Sequence, residues 1–302
     1  MSKGDPVVAV VKAKYDPHLK DKILKVFKLI GPLKVENYSK VAIKINLCDA
    51  RSPDTGAITH PLFLDAFLTC FRDIYPDVPV YVVESDSSVV LADEYVNWFG
   101  FTKVFEKHKV TWVNLSKTET TTVNLNGGYF EKLKIPKILL DSYIVSMAKL
   151  KTNSLTKISC CLKNMFGCLP KIRKYIYHSH IGDVIADLNS ILRPKLCIVD
   201  GIIGMGGAQG PSFGVPIPAG VIIGGLDPVA VDAACSHIIG FRPFFIGHIR
   251  KSKSRGIGSM RYSLVGDEPP NVDFEISTID RFAFKVGLFF QGLAKKESSR
   301  VG

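Results

Sequence analysis

Side chains able to do chemistry are densest between Lys149 and Gly167. There Lys149-Leu150-Lys151-Thr152-Asn153-Ser154-Leu155-Thr156-Lys157 is followed by Ile158-Ser159-Cys160-Cys161-Leu162-Lys163-Asn164-Met165-Phe166-Gly167. A buried strand over residues 143–147 would carry Lys149 and Lys151 to its carboxyl end, and a polar turn would follow. A helix would then run over residues 156–166, stopped by Gly167 with Pro170 just beyond. In open α/β sheets that edge is where ligands bind. A helix start offers N–H groups and the positive end of a dipole, so with Lys149, Lys151 and Lys157 beside it the expected guest is a carboxylate or phosphate, with Thr152 among its contacts. Lys163 and Asn164 fall about two turns further on, too far to share atoms with Lys151. Lys163 is read as a catalytic candidate at a second polar site or as the partner of an acid. Asn164 is read as a substrate contact or as a cap on the turn at Gly167.

Other candidates flank this segment. Residues 41–47 put Val41, Ile43, Ile45 and Leu47 on one face and Ala42, Lys44 and Asn46 on the other. A lysine in such a strand requires a cleft or a counter-charge; we favour a cleft over a buried pair with Glu84. Thr59-His60-Pro61 places His60 at a helix start, where imidazole is pushed toward neutrality and can act as a base or metal ligand. His178-Ser179-His180 also precedes a helix, and these histidines could assemble a divalent-metal site with Glu84, Asp86 or Asp200. Cys160, Cys161 and Cys168, with Cys48 near the same edge, have a spacing unusual for an iron–sulfur cluster and read better as buried small hydrophobes. Asp200-Gly201 leads into Gly204-Met205-Gly206-Gly207-Ala208-Gln209-Gly210-Pro211-Ser212-Phe213-Gly214, a loop whose amides, Gly210 among them, could face an anion.

The elements that must position these groups alternate. Strand-like residues 7–11, 41–47 and 78–84 are interleaved with helix-like 19–30 and 62–75, a rhythm that predicts a parallel sheet. Leu64, Phe67, Leu68 and Phe71 form one apolar stripe. Residues 122–125 and 129–133 flank Asn126-Gly127-Gly128 as a hairpin. Ile181, Val184, Ile185, Leu188, Ile191 and Leu192 share a helical face with Asp183 and Asp187 turned elsewhere. Strands follow over 196–199, ending at Asp200, and over 221–223. Asp227-Pro228 caps a helix over 229–239 and Asp232 is assigned to structure.

Composition bounds the class. The 302 residues are 46% hydrophobic and 22% charged, enough for a full core. Residues 201–226, the longest uncharged stretch, contain Pro211, Pro216 and Pro218 and make a poor membrane helix. With no apolar signal core at the amino terminus and seven irregularly spaced cysteines, the chain reads as cytoplasmic with reduced thiols. A net charge of +11 favours negative partners. Nucleic acid or an acidic protein is the second option, although no aromatic ladder is interleaved with the basic runs.

Taken in order, Ile43-Lys44-Ile45-Asn46, Thr59-His60-Pro61, Lys149-Leu150-Lys151-Thr152, Leu162-Lys163-Asn164-Met165-Phe166-Gly167, Asp200-Gly201, Gly210-Pro211 and Asp227-Pro228-Val229-Ala230-Val231-Asp232 resemble the pattern of domain-of-unknown-function family 362. The family name records no general activity. Many relatives carry an appended ferredoxin-like module with two four-cysteine iron–sulfur clusters, which implies redox chemistry in part of the family. No cysteine-rich module follows Asp267 here, so a separate ferredoxin would have to bring electrons to this branch, if it does redox chemistry at all. The resemblance implies a family domain over residues 1–266. Residues 267–302 form an extension with a basic helix containing Phe282, Phe284, Phe289 and Phe290.

The resulting expectation is an α/β fold with a mainly parallel mixed sheet, helices on both faces and a hairpin insertion. One cleft would hold Lys44, Asn46, Lys149, Lys151, Thr152, Asn164, Asp200 and Gly210 as anion contacts. His60, His178, His180 and Lys163 would move protons.

Overall fold

Near-continuous β-branched runs such as Val-Val-Ala-Val-Val suit strands covered on both faces. The computed structural model, which describes residues 4–207 and 214–274, places that run between two other strands of one sheet. In chain order the first half comprises β1 (Val7–Lys12), α1 (Leu19–Ile30), β2 (Val41–Lys44), α2 (Pro61–Ile74), β3 (Val80–Glu84), α3 (Ala92–Trp98), α4 (Phe101–His108) and β4 (Thr111–Asn114). Then come β5 (Thr120–Asn124), β6 (Lys132–Pro136), β7 (Tyr143–Asn153), β8 (Lys157–Ser159), α5 (Cys161–Asn164) and α6 (Ile181–Ile191). The chain continues through β9 (Leu196–Gly206), β10 (Val215–Ile217), β11 (Val221–Gly225), α7 (Pro228–Ile239), α8 (Gly247–Ser254) and β12 (Ser263–Gly266).

The main sheet has the order β12-β1-β11-β9-β7-β2-β3-β4, with β10 paired to β9 and β8 to β7. From β9 to β4 all neighbours are parallel, and β11 lies antiparallel between β9 and β1. The mainly parallel sheet read from the alternation is therefore present. α1 to α4 cover one face through Ile23, Phe67, Val96 and Phe101. α5 to α8 cover the other through Leu162, Val184, Val231 and Ile249.

β5 and β6 form the expected hairpin as a separate two-stranded sheet, with Gly127 at φ +75 in its turn. Its second strand starts at Lys132 rather than Tyr129, because the amides of Tyr129 and Phe130 donate to Asp187 of α6 instead of to a ladder. Asp187, read as turned away from the core, is buried for that purpose.

Two expectations fail near the chemistry. No helix runs over 156–166: β7 continues to Asn153, turns, and returns as β8, leaving α5 only four residues long. The turn is closed by Asn153 Oδ1, which accepts from the amides of Leu155 and Thr156 and from the Thr156 hydroxyl. That local bonding competes with a helix start. β9 likewise runs past Asp200 to Gly206 and pairs with β10, so Gly204 to Gly206 belong to a strand rather than a loop. Gly210 and the residues expected to form a carboxyl-terminal Phe-containing helix lie outside the described residues.

β2 feeds α2 on one face, whereas β7, its parallel neighbour, leads through β8 to α5 on the other. Successive connections thus leave adjacent strands in opposite directions, the kind of switch point at whose carboxyl ends open α/β sheets place a ligand crevice.

Candidate functional site

Both sides of that crevice carry charged groups that the sheet cannot cover with apolar side chains. Lys44, at the end of β2, is 1% exposed. Its Nζ donates to Glu84 Oε2 at 2.7 Å and to the Ile45 carbonyl at 2.7 Å, with Asn164 Oδ1 at 3.4 Å. The buried pair with Glu84 therefore replaces the open cleft favoured from the sequence, since an apolar environment leaves a lysine no cheaper option. Glu84 also accepts from the amides of Leu47 and Ser85. Gly167, read only as a helix stop, makes this pair possible: a Cβ there would lie 2.6 Å from Lys44 Nζ.

Lys149 and Asp200 are register partners on β7 and β9 and form a fully buried ion pair at 2.9 Å. Burial pulls Lys149 down and Asp200 opposes it. Tyr15, which the sequence reading missed, donates its hydroxyl to both Asp200 oxygens at 2.9 and 2.8 Å. Burial first, then Asp200, pushes its phenol far above the ordinary range. No motif surrounds Tyr15; its position after β1, a strand near β9 in space and distant in sequence, is the only clue.

The Tyr15 ring lies 4.2 Å from that of His60. His60 caps α2, its Nδ1 accepting from the Leu62 amide at 3.1 Å, so Nε2 carries the proton toward Asp54 at 3.2 Å. Burial holds its pKa below the ordinary value, in the direction expected.

Lys151 donates to Asn46 Oδ1 and to the Ala57 carbonyl, each at 2.7 Å, with Cys48 Sγ at 3.4 Å. Asn46 Nδ2 in turn approaches Asn164 Oδ1 at 3.4 Å. Asn164 does not cap the turn at Gly167. It reaches the carbonyl of Lys44 at 2.9 Å, Ser146 Oγ at 3.2 Å and the carbonyl of Met147 at 3.4 Å, spanning β2 and β7. Thr152 donates to the Gly207 carbonyl at 2.8 Å, which anchors the glycine segment.

Lys163 differs from all of these. It is half-buried and, among the described residues, has no hydrogen-bond or ion-pair partner. Burial depresses it to about 8, with Cys48 opposing and Lys151 and Lys44 reinforcing the depression. The short α5 thus brings Lys163 into the same electrostatic neighbourhood as Lys151, where the longer predicted helix would have separated them. Lys174, donating to the Asp86 carbonyl at 2.6 Å, is likewise pushed down to about 8 by burial. Two ammonium groups, Lys151 and Lys44, act on Lys163, while Lys174 feels Lys44 together with the carboxylates of Glu84 and Asp86.

The histidines do not meet. His178, lowered by burial and by Lys163, is near the cleft. His180 stacks on Tyr129 at 4.7 Å, and His60 stays with Tyr15 and Asp54. Among the described residues no three His, Cys, Asp or Glu side chains gather in a way that could hold a metal ion. Cys160, Cys161 and Cys168 are buried.

The predicted helix-start anion site over Thr156 is absent with its helix. At α5 the amides of Cys161 and Leu162 are taken by Asp232 at 2.7 and 3.1 Å. Asp227 caps α7 through the amides of Val229 and Ala230, so both aspartates serve structure as read from the sequence. Among the described residues no helix is long and apolar enough to cross a membrane.

Residues 41–237 match the model of a family described as Domain of unknown function (DUF362). The thylakoid-associated protein sll1697 of Synechocystis sp. is 23% identical over 233 residues, covering 72% of this chain and 68% of that protein.

Proposed function

We propose for this chain, which belongs to the DUF362 family, the binding of a small carboxylate- or phosphate-bearing molecule in the crevice between β2 and β7. The observation that carries this reading is Lys163, a half-buried ammonium without a partner among the described residues and surrounded by further lysines. Lys44 and Lys149 have their charges answered by Glu84 and Asp200, so their role is to shape the site. Lys163 and Lys151 meet the guest. With its pKa near 8, Lys163 can give or take a proton at physiological pH, which supports an enzyme acting on the bound anion. His178, next to it, would receive or return that proton. Metal-assisted or ferredoxin-linked chemistry is not needed for this reading.

Isothermal titration with a panel of small carboxylates and inorganic phosphate at low salt tests it. Saturable binding lost in Lys163→Met and partly kept in Lys163→Arg is expected; no saturable ligand in the wild type would refute it. The net charge of +11 supports a second reading, attachment to an acidic polymer or protein. Strongly salt-dependent retention on RNA that ignores Lys163→Met would favour it.

The seven cysteines are all free thiols, which supports a cytoplasmic location. The relative's thylakoid association raises a peripheral membrane position as the alternative, and flotation with anionic vesicles separates the two.

A further inference from the structure

We propose that the turn before α8, together with the exposed side of that helix, is a docking surface for an anionic lipid bilayer. This goes beyond the crevice between β2 and β7, takes no premise from it, and supplies the peripheral location raised above with contact residues. Pro243–Phe245 form a single 3-10 turn, anchored by the buried side chains of Pro243 and Ile246. With those neighbours held inward, the turn projects Phe244 and Phe245, which are 60% and 59% exposed. Their rings meet edge to face with centres 5.7 Å apart. A single exposed apolar residue carries no message, whereas two adjoining phenyl rings in water mark a contact surface.

The charge around the rings selects the partner. Residues 233–266 contain no aspartate or glutamate and six basic residues, Arg242, Arg250, Lys251, Lys253, Arg255 and Arg261. Lys251 and Arg255 are answered by Asp183 and Asp187 of α6. Arg242, Arg250 and Lys253 are exposed. Arg250 holds its guanidinium 5.7 Å from the centre of the Phe244 ring, and Lys253, three residues on, shares its side of α8. Apolar rings flanked by cations match the boundary of a bilayer, where the rings enter the acyl region and the cations meet anionic headgroups. A second stretch of the same composition lies close by. Lys171 and Arg173 are exposed beside the exposed side chains of Ile172, Tyr175 and Ile176. The 3-10 turn that carries Tyr175 and Ile176 ends at His180, on the wall of a small cleft shared with Phe245 and Arg250. Single-stranded RNA, another polyanion, stacks its bases on ring faces. Phe244 and Phe245 stand at 82° to each other and offer no common face, and Ile172 and Ile176 have none to offer.

The experiment is flotation of the full chain with vesicles of phosphatidylcholine alone, or of phosphatidylcholine and phosphatidylglycerol in equal parts, at low and physiological salt. Binding to the mixed vesicles, weakened by salt and small on phosphatidylcholine, is expected. Phe244→Ser combined with Phe245→Ser should weaken it about tenfold through the loss of two buried rings. Arg250→Gln should weaken it about fivefold. These side chains are exposed, so thermal midpoints should stay at the wild-type value. Phe245→Trp keeps an apolar ring and should bind like the wild type, with added fluorescence that lipid brominated on its acyl chains quenches. A merely structural turn would not produce that quenching. Wild-type protein that stays off the mixed vesicles, serine variants that bind them as well as the wild type, or a Phe245→Trp signal blind to brominated lipid would overturn the surface. So would retention on single-stranded RNA that the same substitutions abolish while vesicle binding is unchanged. Each of these failures leaves the crevice reading as it stands, because that reading is tested by titrating wild type against Lys163→Met.

Discussion

Replacing Lys163 with methionine should stabilise the protein while abolishing its anion binding, a combination that an ordinary structural lysine cannot produce. The side chain keeps its length and apolar stem but loses an ammonium that is desolvated and repelled by Lys151 and Lys44. The gap between an ordinary 10.5 and about 8 corresponds to roughly 3 kcal/mol if fully expressed. Partial exposure screens this to about 1 kcal/mol, or about 2 °C in Tm for a chain of this size. The sign with pH follows from proton counts. The unfolded chain holds this proton up to 10.5 and the folded chain only to about 8, so the wild type gains stability as pH rises through that window. The advantage of Lys163→Met should accordingly be full at pH 7 and vanish toward pH 10.5. Urea unfolding followed by fluorescence of Trp98 and Trp112 at several pH values measures it. A variant less stable than wild type at pH 7, or a difference that does not change up to pH 10, would refute the unpaired ammonium.

Four further outcomes follow from the buried groups. Lys44→Met or Glu84→Leu alone should cost about 3–5 kcal/mol by stranding the other charge, and the double variant should recover much of it, as urea unfolding in a double-mutant cycle will show. Asp200→Asn should destabilise by several kcal/mol, because Lys149 loses its buried counter-charge. Tyr15→Phe should cost only about 1–3 kcal/mol for the lost hydrogen bond to Asp200. His60, held below its ordinary 6.5 by burial, should make stability fall as pH drops below 6.5 and level off once the folded-state group is protonated. His60→Asn keeps a helix cap and should remove that acid-side slope.

Much of this was legible in the residues. The alternation of runs predicted the sheet, Asp227-Pro228 marked the start of α7, and the order of short motifs located the family. The misreadings share a cause, which is that short polar segments were judged without their tertiary partners. Asn153 turns β7 back on itself where local propensity allowed a helix. Glu84, forty residues away, claims Lys44. Asp232 occupies the amides that an anion might have used. Asn164 and Tyr15 owe their roles to strands that become neighbours only in the folded sheet, and nothing in their own surroundings signals it. Lys163 entered as a candidate on its motif, but its lack of a partner among the described residues is a property of three dimensions.

Asn164 has a consequence of its own. With Lys44–Glu84 joining β2 to β3 and Lys149–Asp200 joining β7 to β9, its amide completes a transverse polar belt over four consecutive strands. Such a belt ties the four strand ends to one another, so on the proposed reading the width offered to an anion would be set before it arrives.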